Sequence, residues 1–553
     1  MTINPVLARW FPFLNWPRPT AALLRGETMA GLTVALVMVP QSVAYAGLAG
    51  MPLVTGLYAA LLPALVAVLF GSSTRLSVGP AALTCVLIGS SLTGMAQPGS
   101  AQWVQLAVWL AVLSGVIQLA MGAGGFAWVL NLISAPVLMA FTQAAALLIA
   151  ASQLPALLGV QGGLSSLWQA PQFDLAALAF GLGGVAALVL GKRYTPRLPM
   201  VLLVVASTGG ISYLTGYSAS GGAVVGLLPA GLPSLYLPGW PGWDAFSALL
   251  IPALVIAFVS FLETASSAKT EAQRDGKQWR DNQDLIGQGL AKLASAFSGS
   301  FATSTSFSRS AITLYAGAKT GWATVACTVF VLMALLLLTP LLFHVPRAAL
   351  AAVVVAAVLG LLKPTAFVQL WRINRVETVV AAMTFAVTLF TAPRIYWGVL
   401  TGVLLGLAHF LYHRLHPRII EVGLHGDGSL RDRHLWSLPP LAPHLYALRM
   451  DSELDFAAAS GFERAITEHL AAHPDVQHVC LFAQPINRID ATGVEVFMRL
   501  RQMLEKRGVT LHISGIKLPV ETVLVRAGAL NEGAFLKMYR TDLEALVGFG
   551  HGA

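Results

Sequence analysis

The sequence predicts a polytopic α-helical membrane protein followed by a soluble α/β domain. Three observations carry that prediction: scarce charge, a long series of apolar runs, and an abrupt change of composition near residue 415. Of the 553 residues only 11% are charged and 56% are hydrophobic, whereas a soluble globular protein carries about 25% charged residues. That supply cannot cover the surface of a soluble chain this large, so most of the surface must face lipid. From Leu76 to Gly191 the only charged side chain is Asp174, and from Leu198 to Ala268 there are only Asp244 and Glu263. After His416 charges return every few residues, as in an ordinary soluble domain. The predicted organisation is an N-terminal interfacial or cytoplasmic segment (1–24), a transmembrane part (25–415), a linker (416–442) and a soluble domain (443–553).

A spanning helix needs about 20 mostly apolar residues. Candidates lie at 28–46, 53–70, 77–94, 103–123, 127–157, 173–191, 198–216, 246–267, 281–298, 306–315, 320–342, 346–361, 376–391 and 395–412, about fourteen segments. With the N-terminus inside, the inner loops hold Arg75, then Lys192, Arg193 and Arg197, then Lys269, Arg274, Lys277 and Arg280, then Lys363, Arg372 and Arg375. The outer loops near 47–52, 95–102, 158–172 and 217–245 hold no Lys or Arg. This asymmetry places both termini in the cytoplasm, although Arg347 and Arg394 fall near outer ends and run against it. It also accounts for the net charge of +9 without nucleic acid. Before the first span, Arg9, Trp10, Phe11, Trp16 and Arg18 form an interfacial amphipathic stretch with no cleavable signal pattern. Cys85, Cys327 and Cys480 are too far apart for a metal motif or a disulfide framework.

Two segments cannot be ordinary lipid-facing helices. The third opens with Leu76-Ser77-Val78-Gly79-Pro80-Ala81, which breaks at Gly79-Pro80. The tenth, Thr303-Ser304-Thr305-Ser306-Phe307-Ser308-Arg309-Ser310, is half hydroxyls with a charge. They fall third in the first seven segments and third in the second seven, the sequence pointer to the binding site of a transporter built from two inverted repeats; re-entrant packing elements without a ligand are the alternative. Half-helices that start inside a membrane present free N–H groups and a positive dipole end, which suits an anion. Pro80 fits a first helical turn, where its missing N–H is no loss. Ser306 and Ser308 add hydroxyl donors beside Phe307, and Arg309 adds positive charge that is expensive at membrane depth. The alternative reading of Arg309 is a structural ion pair with Glu263 as its partner.

Glu263 is the only acidic residue of the eighth segment. A carboxylate in a low-dielectric site is easier to protonate than one in water, which makes Glu263 the candidate for proton coupling. The bland readings are a fixed partner for Arg309 or a carboxylate near the cytoplasmic mouth. In the first segment Gln41 and Tyr45 are four residues apart on one helix face, behind Pro40, which is expected to break the helix near mid-membrane.

These residues carry a resemblance. Ala30-Gly31-Leu32-Thr33, Pro40-Gln41, Ala44-Tyr45-Ala46, Gly56-Leu57-Tyr58, Phe70-Gly71-Ser72-Ser73 and Leu76 to Pro80 resemble the sulfate permease (SulP) family of anion transporters. So do the run Asn282 to Ala291, the string Ser306 to Ala311, and Ala316 to Thr320. The resemblance implies two inverted seven-segment repeats divided into core and gate domains. It also implies a homodimer and an anion site at Gln41, Tyr45, Gly79, Pro80, Ala81, Ser308 and Arg309, with Glu263 beside them. Two departures stand out: family members often show Asn where this chain has Lys292, and Pro and Gly within the stretch Phe301 to Thr305.

From residue 443 onward strands alternate with helices, which implies a small sheet covered by helices. Strands are predicted at His444–Met450, His478–Phe482 and Val509–Ser514, with helices at Asp455–His473, Val494–Arg507, 518–527 and 541–548. This resembles the domain shared by sulfate transporters and anti-sigma-factor antagonists (STAS). There a hydroxyl at a helix start is phosphorylated, and here Thr492 holds that position; helix capping by Asp490 and Thr492 is the plainer reading.

The function expected is secondary active transport of a small anion (sulfate, bicarbonate or a dicarboxylate) by alternating access across the plasma membrane, with proton symport. An uncoupled exchanger or channel, or a sodium-coupled bicarbonate symporter, would use the same frame. No cofactor is expected. An enzyme would need a metal cluster or nucleophile pair, and the histidines of the spans, His344 and His409, are far apart. A receptor would bind without flux. No Gly-x-x-x-x-Gly-Lys-Ser/Thr loop is present to bind ATP.

Overall fold

The computed structural model describes residues 11–160, 173–195, 198–229, 231–531 and 533–550. Arg9, Trp10 and Arg197, and most of the 158–172 loop, lie outside the described residues. The chain forms two compact units, Met1–Gly406 and Leu407–Ala553.

The first unit begins with α1 (Ala21–Leu48), α2 (Val54–Ala59), α3 (Leu62–Phe70), β1 (Val78–Gly79), α4 (Ala82–Leu92), α5 (Ala101–Ala123) and α6 (Ala135–Leu157). Next come α7 (Leu175–Tyr194), α8 (Met200–Leu214), α9 (Trp243–Asp275), α10 (Asp281–Phe297), β2 (Ser304–Thr305) and α11 (Phe307–Tyr315). The series ends with α12 (Trp322–Met333), a π-turn, α13 (Thr339–Leu342), α14 (Arg347–Leu359), α15 (Pro364–Ile373), α16 (Arg375–Phe390) and α17 (Tyr396–Leu415). A helix falls in each of the fourteen apolar segments. Eight helical stretches among the described residues are long and apolar enough to cross a membrane alone.

Local chemistry sets many of the starts. Thr20, Ser100, Asp174 and Asn374 each accept first-turn N–H groups of the helix they precede, satisfying donors a helix start leaves open. Close packing depends on missing side chains. A Cβ on Gly289 of α10 would stand 2.7 Å from Leu119 N and 2.8 Å from Gly115 O of α5, so the two backbones touch there.

Three expectations are corrected here. Pro40 does not break its helix: α1 runs through it for 28 residues, because losing one internal hydrogen bond costs less than unpacking a buried helix. The eighth segment extends past residue 267 to Asp275, giving a helix of 33 residues, about 50 Å long, so Glu263 sits three turns inside its end. Arg75, expected as a loop cation, is buried and paired with Glu271 at 3.2 Å and Asp275 at 2.6 Å. An unanticipated helix, α15, buries none of its residues.

In the second unit, β3 (Ile419–Leu424), β4 (Leu430–Asp432), β5 (Leu445–Met450), α18 (Ala459–Ala472), β6 (His478–Phe482) and α19 (Ala491–Lys506) are followed by β7 (Thr510–Ser514), α20 (Leu518–Arg526), β8 (Leu536–Tyr539) and α21 (Asp542–Gly548). The six strands lie in the order β4-β3-β5-β6-β7-β8, with β5 to β8 parallel and β3 antiparallel to both neighbours. The stretch expected as a linker, 416–442, thus supplies two strands of the sheet. One face packs Phe462, Ile466, Phe497 and Leu500 of α18 and α19, and the other packs Ala545 and Leu546 of α21 against Cys480 and Phe482.

On that second face His512 is buried, with its ring nitrogens 3.2 Å from His478 Nδ1 and 3.2 Å from Tyr539 Oη. Burial, and then the neighbouring His478 and Lys537, push its pKa down from 6.5 to about 4. The unfolded chain therefore binds a proton between these values that the folded unit refuses, so stability falls as pH drops through that window. Acid titration of the protein followed by hydrogen exchange in 478–549 should show early loss of protection on β7 and β8, and His512→Asn should flatten it. In the first unit, Gly289→Ala should lower the apparent melting temperature in detergent, overpacking of this kind costing about 1–3 kcal/mol. Gly210→Ala, whose new methyl meets nothing within 4 Å, should leave it unchanged.

Candidate functional site

Two helices begin inside the first unit, and each is preceded by two residues of strand. Val78 pairs with Thr305 and Gly79 with Ser304 in an antiparallel ladder. Ser306 N–H donates to Ser77 O at 3.0 Å, and Ser77 N–H donates to Ser310 Oγ at 3.0 Å. The backbone groups that breaking a helix leaves open are thus satisfied by the other broken segment. A Cβ on Gly79 would stand 2.6 Å from Met38 Cε, so a side chain there would displace the end of that methionine on α1. Ala81 precedes α4 without a side-chain cap, while Ser306 caps α11 by accepting from Arg309 N–H.

Arg309 is fully buried. Its Nε donates to Ser77 Oγ at 3.2 Å, Nη1 to Gln41 Oε1 at 3.3 Å and Nη2 to the Pro80 carbonyl at 2.8 Å. One guanidinium thereby ties α1, β1 and the start of α4 to α11. Glu263 of α9 is half-buried and accepts hydrogen bonds from Ser304 Oγ and, at 3.3 Å, from Thr84 Oγ1. No ion pair joins it to Arg309. Thr264 Oγ1 lies 2.9 Å from Thr305 Oγ1, and Ser304 Oγ also reaches Ser260 O at 3.2 Å. A stripe of α9 at 260, 263 and 264 therefore contacts the ladder directly.

The structure brings Gln41, Gly79, Pro80 and Arg309 into one cluster and sets Glu263 against β2 and α4. Ala81 is buried at the start of α4. Tyr45 is buried in the apolar core one turn from Gln41. Ser306 bridges to Ser308 at 3.3 Å, while the side chains of Phe307 and Ser308 are exposed on the first turn of α11. In the second unit Thr492 is exposed, and capping falls to Asp490, which accepts from Gly493 N–H at 2.8 Å. Ser77, Thr84 and Ser304 are contacts that sequence reasoning missed, because a hydroxyl in an apolar segment carries no periodic signal. Lys292 was noticed only as a departure.

Residues 24–384 match the sulfate permease family and residues 440–545 match the STAS domain. The chain is 30% identical to probable sulfate transporter 4.2 of Arabidopsis thaliana, over 94% of this chain and 80% of that protein. It is also 30% identical to a probable sulfate transporter of Mycobacterium tuberculosis, over 92% of each. In fold it is similar to the murine Solute Carrier 26 family member A9 anion transporter in the inward-facing state. That similarity has a TM-score of 0.86 at 21% identity and covers 98% of this chain and 94% of that one. The transmembrane domain of a cyanobacterium bicarbonate transporter, BicA, aligns with a TM-score of 0.59 at 19% identity, covering 70% of this chain and 98% of that domain. The chain belongs to the sulfate permease family, as a multi-pass membrane anion transporter with a C-terminal STAS domain.

Proposed function

We propose that this chain is a secondary active transporter that carries a small anion of the sulfate, bicarbonate or dicarboxylate class by alternating access, with a proton as the coupled ion. The observation that carries the reading is the place of Glu263. Its carboxylate is held by hydroxyls of both broken segments, Thr84 of α4 and Ser304 of β2, so a change in its charge acts on the anion site itself. The anion would sit between the first turns of α4 and α11, where N–H groups, helix dipoles and the Ser306 and Ser308 hydroxyls converge. Gln41 and Arg309 would hold that frame and supply its positive field, with Tyr45 behind them. The third and tenth segments would belong to two inverted repeats divided into core and gate domains, in a homodimer of the plasma membrane with both termini cytoplasmic. Thr492, exposed on its helix, would be the position open to modification.

The test is uptake of radiolabelled sulfate, bicarbonate and fumarate into proteoliposomes, with and without an inward proton gradient. Gradient-driven accumulation of one anion is expected in the wild type. Glu263→Gln should keep exchange of that anion and lose accumulation. Flux that ignores both the gradient and the variant would move the assignment to an uncoupled exchanger or channel. Arg309→Lys should cut uptake by at least about tenfold, because an ammonium cannot reach three acceptors in a plane as the guanidinium does.

A further inference from the structure

Lys292 of α10 is fully buried, and its ammonium donates to Gln118 Oε1 of α5 at 2.9 Å. Burying an ammonium costs several kcal/mol where a neutral amide would cost far less. Such a charge persists where it has work to do. The hydrogen bonds trace where that work lies. Gln118 Nε2 donates to Ser260 Oγ at 3.0 Å and to the Ala257 carbonyl at 2.7 Å. Ser304 Oγ, which donates to the Glu263 carboxylate, lies 3.2 Å from the Ser260 carbonyl. Lys292 is thus tied through Gln118, Ser260 and Ser304 to Glu263, and it acts on that carboxylate electrostatically as well. Gln288, one turn earlier on α10, and Thr303, just before β2, keep buried side-chain oxygens without a partner. The polar interior around Lys292 is therefore not saturated by the protein's own groups.

We propose that Lys292 adds a unit of positive charge to the anion site and so sets its preference for doubly charged over singly charged anions. The inference rests on the site assigned under the proposed function. The charges in play are Arg309, Lys292 and Glu263; the other titratable groups in electrostatic reach of Arg309 and Glu263 are the phenol of Tyr45 and the thiols of Cys85 and Cys327, neutral in their ordinary state. With Glu263 protonated, Lys292 has no countercharge in the protein, and a divalent anion supplies one that holds its ammonium charged, so that Arg309 and Lys292 together balance the two charges of that anion. With Asn in place of Lys292 the same state presents one, which a monovalent anion neutralises. Lys292 therefore turns proton loading into a demand for a divalent anion.

Sulfate and perchlorate share tetrahedral geometry and differ in charge, so they separate charge from shape. In proteoliposomes of the full-length protein, perchlorate should compete with radiolabelled sulfate uptake at least about tenfold more weakly than unlabelled sulfate does. That is the effect of one unit of charge acting from ~10 Å through an effective dielectric of ~20. Lys292→Asn should narrow the gap by about that factor, and Lys292→Arg should keep it. A Lys292→Asn protein with the wild-type gap would overturn the proposal. So would a wild type inhibited equally by both anions, a result that needs no variant to fold. Glu263→Gln reads the coupling separately. A gap that depends on Lys292 in a protein indifferent to the gradient sinks proton coupling and leaves this inference standing; gradient-driven uptake with no such gap does the reverse.

Discussion

The first unit depends on a ladder of four residues. A helix that begins inside an apolar interior leaves N–H groups and carbonyls with no partner, and each costs several kcal/mol there. Two broken segments can share that cost by pairing with each other, which Val78–Gly79 and Ser304–Thr305 do. Once they pair, the starts of α4 and α11 are fixed side by side and Arg309 is carried to the junction. Its three acceptors, Gln41, Ser77 and Pro80, all lie on the far segment or on α1. The guanidinium is therefore as much a cross-link as a charge. Because each of its three nitrogens donates to a protein oxygen, its contribution to an anion in the proposed site would be first a field and only second a contact, whereas the exposed hydroxyl of Ser308 would be free to touch.

Polar groups elsewhere follow the same logic. Asp284 accepts from Ser72 N–H at 2.6 Å and Ser73 N–H at 3.0 Å, and Glu271 holds Arg75. The connection after α3 is thus clamped to α9 and α10 by carboxylates that receive backbone donors. Ionised acceptors form stronger hydrogen bonds than neutral ones, so a short connection of serines and threonines is held as firmly as a helix. Glu27 does the same for the turn after α11, accepting from Lys319 N–H at 2.9 Å and Thr320 N–H at 3.1 Å.

Much of this was legible in the sequence, for a physical reason. Membrane depth demands long apolar runs, so segment positions are written in composition, and a break such as Gly79-Pro80 stands out against them. Gln41 and Arg309 stood out equally, being polar where polarity is costly. What was not legible depends on partners distant in sequence. Pro40 looks like a break until α1 is seen to be packed into the core from Ala30 to Ala46. Ile419–Leu424 and Leu430–Asp432 looked like linker because strands of six and three residues, the shorter at the sheet edge, have too little periodicity to announce themselves. Arg75 was counted as a loop cation because nothing in its own neighbourhood reveals Glu271, which lies 196 residues further on.

The stripe on α9 ties these observations together. Ser260, Glu263 and Thr264 lie on one helix face, and each is bonded to the ladder or to the start of α4. Gln118 and Lys292 extend the same bonds to α5 and α10. Sliding α9 past the ladder would strand a half-buried carboxylate and several hydroxyls at once, each at a cost of about 1–3 kcal/mol. A transport cycle of the kind proposed must therefore keep the ladder, α9 and α10 together as one body and find its movement at surfaces that are apolar. The packing of α14 against α6 and α7, where Ala351, Ala352 and Val355 meet Leu157 and Val185, has that character: contacts there are non-directional and can be re-made after a shift without leaving a polar group unpaired.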